Sequence, residues 1–365
     1  MREIMAKLGV HSIDEMCGRT DLLKLKDKQG FKRAALVNME RVLANTFEDE
    51  EWKKDREHKQ YDFKLNSTVD EKFLVPEFEK ASKKKNPTQT VMNIKISSTD
   101  RTVGTILGSE IQEKFGNSLE EDTFIVNCKG GGGQSFGAFI PKGLTLRLEG
   151  DSNDALGKGL SGGKITVFPP KEFTGKPEEN IIVGNVALFG ATSGEAFING
   201  IAGERFCVRN SGATVVSEGC GDHGLEYMTG GIAVILGSTG KNLCAGMSGG
   251  IAYILDENHD LYKRLNKDLV EMYDLSDETT VIRNGKIASE SPDEATLHKL
   301  IEKHVKETGS AKGKEILSEW EKYKKLFKKI IPNDYLKIMT EITVQENHGL
   351  SHDEAVLSAF KICTA

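Results

Sequence analysis

The sequence lacks any long apolar run. Among its 365 residues, uninterrupted apolar runs end after about five positions, as at Ile232–Leu236. A helix that crosses a bilayer needs roughly 18 or more such residues. The N-terminal stretch carries Glu3, Asp14 and Glu15, and it has neither the apolar core of a signal peptide nor the acid-poor composition of a transit peptide. We therefore predict a soluble, cytoplasmic protein with no membrane partner.

The sequence also lacks an excess of basic residues and any cluster of cysteines. The 49 Lys and Arg residues are outnumbered by 55 Asp and Glu, which gives a net charge of −6 and predicts no nucleic-acid partner. The six cysteines are scattered without a CxxC pair, which disfavours a disulfide framework, a zinc site or an iron–sulfur site. The zinc-protease motif HExxH is missing too. We accordingly assign no catalytic, cofactor-binding or metal-binding residue.

Glycine is abundant and unevenly distributed. Of the 38 glycines, 31 lie between Gly104 and Gly250. The composition therefore predicts three regions: a helical segment at residues 1–91, a β domain at 92–290 and a helical tail at 291–365.

The glycine-rich region repeats itself. Glycines that precede similar apolar segments occur at Gly163, Gly203, Gly231 and Gly250, with spacings of 40, 28 and 19 residues. Repeats of this length indicate a solenoid, and glycine suits the tight corners where stacked coils approach. We predict a mainly β fold, a right-handed parallel β-helix flanked by N- and C-terminal α-helical segments. The predicted inner strand positions include Val183, Val186, Leu188, Phe206, Val208 and Val215.

Several helices are predicted in the flanks. One covers Arg2–Leu8 and ends at Gly9, and apolar spacing predicts another within Phe31–Asn45. In the tail, Ser291 and Pro292 predict a helix start, and Gly309 predicts its end. A further predicted helix holds the apolar residues from Ile316 to Phe327 and ends before Pro332, and a last one opens at a capping box formed by Ser351 and Glu354.

Two short segments could carry function. The predicted strand Phe124–Cys128 is followed by Gly130, Gly131, Gly132, Gly133 and Gln134. A glycine loop after a strand can hold phosphate, but the GK[ST] ending of a P-loop is missing, which favours a corner or a loop that faces another domain.

The second segment is Asp222 and His223, which we also predict to be an interdomain contact. Cys220 with His223 forms the alternative, a nucleophile and base in a self-sufficient enzyme. Two nearby arginines, Arg205 and Arg209, are expected to pair with acids such as Glu195 or Glu218, an arrangement that would suit an interface.

Long stretches resemble one known family. They include GQSFGAF (133–139), LEGDSNDALGKGLSGGKI (148–165), the run from Glu179 to Ala213, GDHGLEYMTGG (221–231) and GMSGGIAYILD (246–256). These runs resemble the C-terminal GXGXG domain of the glutamate synthase large chain. The opening REIMAKLGV and the segment Gly18–Leu23 resemble the end of the family's FMN domain and its linker.

The resemblance implies that the catalytic steps belong to other domains of the family. Glutamate synthases hydrolyse glutamine at an N-terminal cysteine and pass ammonia to an FMN barrel with an iron–sulfur cluster, where L-glutamate forms from 2-oxoglutarate. The counterparts of that cysteine, that barrel and those cluster ligands are absent from this sequence. The expected role is a non-catalytic β-helix that supports ammonia transfer between the amidotransferase and FMN synthase domains, which are its expected partners and hold the cofactors.

Other assignments remain open. A GXGXG domain also occurs in formylmethanofuran dehydrogenase, so an assembly subunit of another redox enzyme is an alternative. Whether this chain is itself an enzyme, through Cys220 and His223, is left undecided.

Overall fold

The fold comes from a computed structural model. The structure describes residues 1–365 except 27–32, 34–35, 45–60, 84–86, 276–281, 284–285, 288–291 and 365. The described residues divide into two compact units, Met1–Phe63 and Lys64–Ala365. The predicted boundaries at residues 91 and 290 stay predictions.

The first unit contains short helices. They are α1 (Arg2–Leu8), α2 (Ile13–Met16), a 3₁₀ turn at Thr20–Leu22 and α3 (Glu40–Leu43). Helix α1 ends as predicted at Gly9, which adopts the left-handed conformation with φ +72°. Of the helix predicted within Phe31–Asn45, α3 is confirmed, residues 36–39 are not helical, and residues 31–32, 34–35 and 45 lie outside the described residues.

The second unit is a parallel β-solenoid of about seven turns with helices at both ends, which confirms the predicted fold class. Each strand pairs in parallel with its equivalent in the next coil, and β5 pairs with β3 and β6. The parallel strands are β1 (Thr90–Ile96), β2 (Phe124–Gly132), β3 (Leu144–Ser152), β4 (Ser161–Phe168), β5 (Ile181–Val183), β6 (Ser193–Ala202), β7 (Ser211–Cys220), β8 (Thr229–Ile235) and β9 (Gly249–Leu255).

The register of the coils corrects the spacing read from the sequence. Lys164 pairs with Glu195, Glu195 with Thr214, Thr214 with Ile232 and Ile232 with Ile251. The preceding column is therefore Gly163, Gly194, Ala213, Gly231 and Gly250, and Gly203 belongs elsewhere. Gly203 lies one residue past β6, where a Cβ would come 2.6 Å from Asn185 Oδ1 of the previous coil. The predicted repeat was right, but its alignment was wrong at Gly203.

At one corner of each of six coils, the backbone adopts an unusual left-handed conformation. In six successive coils, three alternate residues have φ between +53 and +69°. In one of them, the N–H groups of His223 and Tyr227 donate to the next coil (Lys241 and Ala245 oxygens, 2.8 and 2.9 Å) and that of Leu225 donates to the previous coil (Phe206 oxygen, 2.8 Å). The eighteen residues are Ser135, Gly137, Phe139, Ala155, Gly157, Gly159, Val186, Leu188, Gly190, Arg205, Cys207, Arg209, His223, Leu225, Tyr227, Asn242, Cys244 and Gly246.

These corners overturn part of the predicted strand pattern. Val186, Leu188, Phe206 and Val208 lie in corners rather than strands, although Val183 and Val215 are in strands as predicted. Thirteen of the eighteen left-handed residues are not glycine, and each such residue costs about 1 kcal/mol. The hydrogen bonds between coils therefore impose the conformation on sequences that do not favour it.

Helices close the first coils. A π-helical turn at Asp70–Leu74 leads into α4 (Val75–Ala81), and α5 (Thr105–Phe115) follows β1. The carboxylate of Asp70 accepts hydrogen bonds from the N–H groups of Gly104, Ile106 and Leu107 at 2.8, 2.9 and 3.1 Å. Burial raises the pKa of Asp70, and these three hydrogen bonds oppose that increase. Asp70 thus satisfies the free N–H groups at the start of α5.

The tail packs on the outer face of the later strands. Its helices are α6 (Pro292–Thr308), α7 (Ala311–Ser318), α8 (Trp320–Tyr323), α9 (Asn333–Asn347) and α10 (His352–Thr364). As predicted, α6 starts at Pro292 and ends before Gly309, which has φ +76°, and Ser351 bonds to Glu354 at the start of α10. Leu297, Ile301 and Ile316 pack against Phe197 and Val234 in a second apolar core.

The tail also contributes one strand, and the single helix predicted for Ile316 to Phe327 is divided into α7 and α8 before that strand begins. Phe327 is not in a helix: it begins β13 (Phe327–Pro332), which runs antiparallel to β9 and to β10 (Val270–Asp274). A small hairpin is formed by β11 (Ile282–Arg283) and β12 (Lys286–Ile287). Strand β13 pairs the open edge of the last coil, an edge that would otherwise be free to pair with other chains.

Candidate functional site

The six corners stack into one outward surface, which we call the corner face. Within each corner the middle left-handed residue is buried, as at Cys207 and Leu225, whereas the first and third lie at the surface except at Gly159, which is buried. Three columns of side chains result, one residue per coil. The first column holds the residue just before the left-handed residues: Gln134, Asp154, Asn185, Glu204, Asp222 and Lys241. The second column holds the first left-handed residue: Ser135, Ala155, Val186, Arg205, His223 and Asn242. The third column holds the last left-handed residue: Phe139, Gly159, Gly190, Arg209, Tyr227 and Gly246.

The structure places the two predicted contact segments in one column. Gln134 and Asp222 occupy equivalent positions, four coil steps apart, which is about 19 Å at 4.8 Å per step. They are therefore related by the repeat without touching each other.

The glycine run does not form a phosphate loop. Gly130, Gly131 and Gly132 end strand β2 and pair with Gly150, Asp151 and Ser152 of β3. The N–H of Gly133 donates to the carbonyl oxygen of Asp100 at 3.2 Å. These glycines pack between coils.

A ladder of side-chain acceptors supports the first column. Asp154 Oδ1 accepts from the N–H of Asn185 (2.8 Å), Asn185 Oδ1 from the N–H of Glu204 (2.8 Å), and Asp222 Oδ1 from the N–H of Lys241 (2.7 Å). Each bond ties a side chain to the backbone of the next coil. Asp222 is thus a positioning residue of the corner face.

His223 belongs to a polar network at the same level. Its Nδ1 lies 2.6 Å from Glu226 Oε1, and Asn242 Nδ2 donates to the same oxygen at 3.0 Å. Asn266 Nδ2 donates in turn to Asn242 Oδ1 at 3.1 Å. The His223 side chain is 42% exposed, so the network is fixed by its partners while one side of the imidazole remains open to another molecule.

Cys220 does not share this surface. It is 3% exposed, and burial raises the pKa of its thiol to about 12. Nucleophilic attack needs the thiolate, which a buried thiol of this kind rarely forms. The geometry therefore gives no support to a Cys220–His223 nucleophile.

The predicted partners of the two arginines are wrong. Glu195 pairs with Lys303, and Glu218 accepts a hydrogen bond from Ser310 Oγ beneath the tail helices. Arg205 and Arg209 instead lie exposed on the corner face. Within the part of the chain that the structure describes, no carboxylate lies within ion-pair distance of either guanidinium.

Sequence reasoning missed the aromatic residues of the corner face. Phe139 and Tyr227 are each 56% exposed, at equivalent left-handed positions. Bulky residues seldom adopt positive φ, so such residues are worth examining for function. The signal available beforehand was their common distance of six residues from Gly133 and Gly221.

A charged cluster holds the tail helices to the solenoid. Lys164 is 3% exposed and donates to Glu121 at 2.7 Å, Asp122 at 2.8 Å and Glu307 of α6 at 3.3 Å. Burial alone would lower the pKa of Lys164, but these carboxylates outweigh burial and raise it. Lys164 therefore stays charged and couples the strand to the helix.

The described residues form neither a metal-ligand cluster nor a helix able to span a membrane. Among them, no three His, Cys, Asp or Glu side chains come together as metal ligands would, so the buried cysteines do not fit an iron–sulfur cluster. Over the same residues, no helix combines the length and the hydropathy needed to cross a bilayer.

Comparison with known proteins gives a consistent assignment. The family model described as "GXGXG motif" matches residues 70–333. The chain is 42% identical over 367 residues to the glutamate synthase [NADPH] large chain of Bacillus subtilis, covering 100% of this chain and 23% of the relative. It is 43% identical to glutamate synthase [NADH] of Schizosaccharomyces pombe (93% of this chain, 15% of the relative). It is 38% identical to ferredoxin-dependent glutamate synthase 2 of a Synechocystis strain (91% and 20%). The chain thus spans about a fifth of the length of the curated relatives it matches.

Proposed function

The chain belongs to the GXGXG motif family, and from that premise we propose that it is the non-catalytic β-helix of a glutamate synthase, holding the catalytic domains in place for ammonia transfer. The observation that supports the proposal most strongly is that this whole chain matches part of a glutamate synthase large chain and folds as a continuously paired solenoid. A stack of hydrogen-bonded coils is stiff, because each coil contacts its neighbours along its whole length.

The corner face is the proposed contact surface. Gln134 near one end and Asp222 with His223 nearer the other would meet different parts of the amidotransferase and FMN synthase domains. A fixed separation of about 19 Å between these points would keep the two domains in register. In this proposal FMN and the iron–sulfur cluster belong to those domains, and the protein acts in the cytoplasm.

The proposed role separates coupling from chemistry. Ammonia released from glutamine reaches the second site only if the domains stay docked, whereas ammonium added to the solution can enter without them. Disturbing the corner face should therefore lower glutamine-dependent glutamate formation selectively, because proximity rather than reactivity is lost.

The test compares three rates in the assembled glutamate synthase that contains this chain: glutamine-dependent glutamate formation, ammonium-dependent glutamate formation and glutamine hydrolysis. His223→Asn tolerates the left-handed backbone but loses the bond to Glu226 Oε1. We expect the glutamine-dependent rate to fall about tenfold, which corresponds to about 1.4 kcal/mol, with the other two rates retained.

The matched control is Lys95→Gln, an exposed residue on β1 away from the corners. Unchanged glutamine-dependent synthesis in His223→Asn and in Gln134→Arg would contradict the proposed contact. Equal loss of all three rates would indicate misfolding, which circular dichroism of each variant would reveal.

A further inference from the structure

The third column of the corner face combines aromatic rings with bare backbone. Phe139 covers Gly159, where a Cβ would come 2.3 Å from the ring, and Tyr227 covers Gly246, where a Cβ would come 2.6 Å from the ring. At Gly190, between these two pairs, a Cβ would have no atom within 4 Å. The column therefore presents two exposed rings about 19 Å apart, with an open glycine floor at Gly190 and the side chain of Arg209 between them.

Unpaired positive charge lies beside this floor. Arg205 and Arg209 belong to a single corner, and neither guanidinium has an ion-pair partner among the described residues. The acids nearby are already engaged: Glu226 contacts His223 and Asn242, and Asp222 accepts from the backbone of the next coil. Asp222 and Glu226 keep their negative charge, but neither carboxylate lies within ion-pair distance of the arginines. Arg205 and Arg209 are therefore available for a direct ion pair with a partner, although the exposed Glu204 belongs to the same corner.

We propose that this column, with Arg205 beside it, is a docking surface for an acidic segment of another domain of the large chain, with a carboxylate at Arg205 and Arg209 and apolar side chains over Gly190. The inference rests on the proposed function, and it names the surface and the chemistry of the partner. The relatives carry several times more chain than the part matched here, so the partner segment lies in that remainder.

The energetic reasons favour this occupant. Arginine binds carboxylates through paired hydrogen bonds, and aromatic and arginine side chains carry much of the energy of protein interfaces. A glycine floor lets an incoming backbone approach closely, because no Cβ stands in its way. A basic side chain placed against Arg205 or Arg209 would be repelled, so these two positions favour an acidic residue of the partner.

The first test is hydroxyl-radical footprinting of this chain alone and of the same chain assembled with the remainder of a glutamate synthase large chain from the same organism. Tyr227 and Tyr262 are 56% and 51% exposed, so they form a matched pair. We expect labelling of Tyr227 to fall about fivefold on assembly, as for a ring that enters the core of an interface, with Tyr262 unchanged. Equal labelling of Tyr227 in both samples, with assembly shown by size-exclusion chromatography, would overturn this surface but leave the proposed function standing.

The second test reverses charge. Arg209→Glu should weaken the same assembly by about tenfold, and added salt should weaken the wild-type assembly, because a charged contact is lost or screened. Lys314→Glu makes the same change on an exposed part of α7 and should leave affinity unaltered. Equal affinity of Arg209→Glu and wild type would refute the acidic partner. Failure of the wild-type chain to assemble at all would refute the proposed function itself.

Discussion

Replacing Lys164 with methionine should detach the tail helices from the solenoid before the solenoid itself unfolds. Lys164 is the shared cation between Glu121 and Asp122, which lie before β2, and Glu307 on α6. The Lys164 and Glu307 side chains are only 4% and 9% exposed. The substitution leaves Glu307 buried beside other carboxylates, with Arg147 still near it at 3.8 Å.

The magnitude follows from burial. Removing one partner of a buried ion pair costs about 3–5 kcal/mol, whereas an exposed pair contributes at most about 1 kcal/mol. The side chains of Glu121 and Asp122 are 50% and 33% exposed, so their pairs with Lys164 contribute little to the lost stability. We expect a loss of about 3 kcal/mol near neutral pH, mostly from Glu307.

The pH dependence has a definite sign. Burial would raise the pKa values of Glu121 and Asp122, but hydrogen bonds from Lys164 outweigh burial and hold both pKa values below the usual range. Groups with a lowered pKa stabilise the fold above their unfolded values near pH 4, and that contribution is lost as the pH falls through the folded values. The stability difference between wild type and Lys164→Met should therefore shrink as the pH is lowered from about 6 to about 3.

Urea unfolding followed by Trp320 fluorescence measures the effect, since Trp320 lies in the tail helices. With a slope of about 3 kcal/mol per M, the midpoint should fall by about 1 M. The double variant Lys164→Met/Glu307→Gln should recover much of the loss, because no buried charge is left unpaired. A midpoint unchanged in Lys164→Met, or a difference that grows on acidification, would refute the reasoning.

Two further predictions concern packing and thiol reactivity. Gly150→Ala should abolish folding or cost more than about 3 kcal/mol, because its Cβ would lie 1.9 Å from the Gly130 oxygen, whereas Gly190→Ala should cost about 1 kcal/mol from its φ of +65° alone. Thermal unfolding compares the two, and similar losses would contradict the packing argument. Native protein treated with iodoacetamide at pH 8 should label at Cys17 and Cys363, which are exposed, while Cys220 stays unlabelled until denaturant is added. Mass spectrometry that finds Cys220 labelled in the native state would contradict its burial.

The solenoid could be predicted from the sequence, because close stacking of coils excludes side chains at fixed places and glycine marks those places. Its alignment could not be predicted, because Gly203 and Gly231 serve different columns and both look alike in sequence. The left-handed corners escaped prediction for a related reason. Val186, Leu188 and Arg205 have no local preference for positive φ, and only hydrogen bonds to neighbouring coils impose it.

The candidate site was predicted in part. Asp222 and His223 do lie on the surface of a corner, but Gly130 to Gly132 are strand residues held between neighbours. Phe327 was assigned to a helix because its spacing from Tyr323 fits one, yet pairing with β9 overrides that local pattern. Arg205 and Arg209 were given intrachain partners because sequence distance does not show which acids are already engaged elsewhere.

The central claim is that this chain works within a glutamate synthase, and the visible absorption spectrum of the protein purified through a tag on this chain from its native host tests it most directly. We expect flavin and iron–sulfur bands that elute together with this chain and with the amidotransferase and synthase domains, identified by mass spectrometry. A colourless, folded chain that elutes alone under gentle conditions would contradict it.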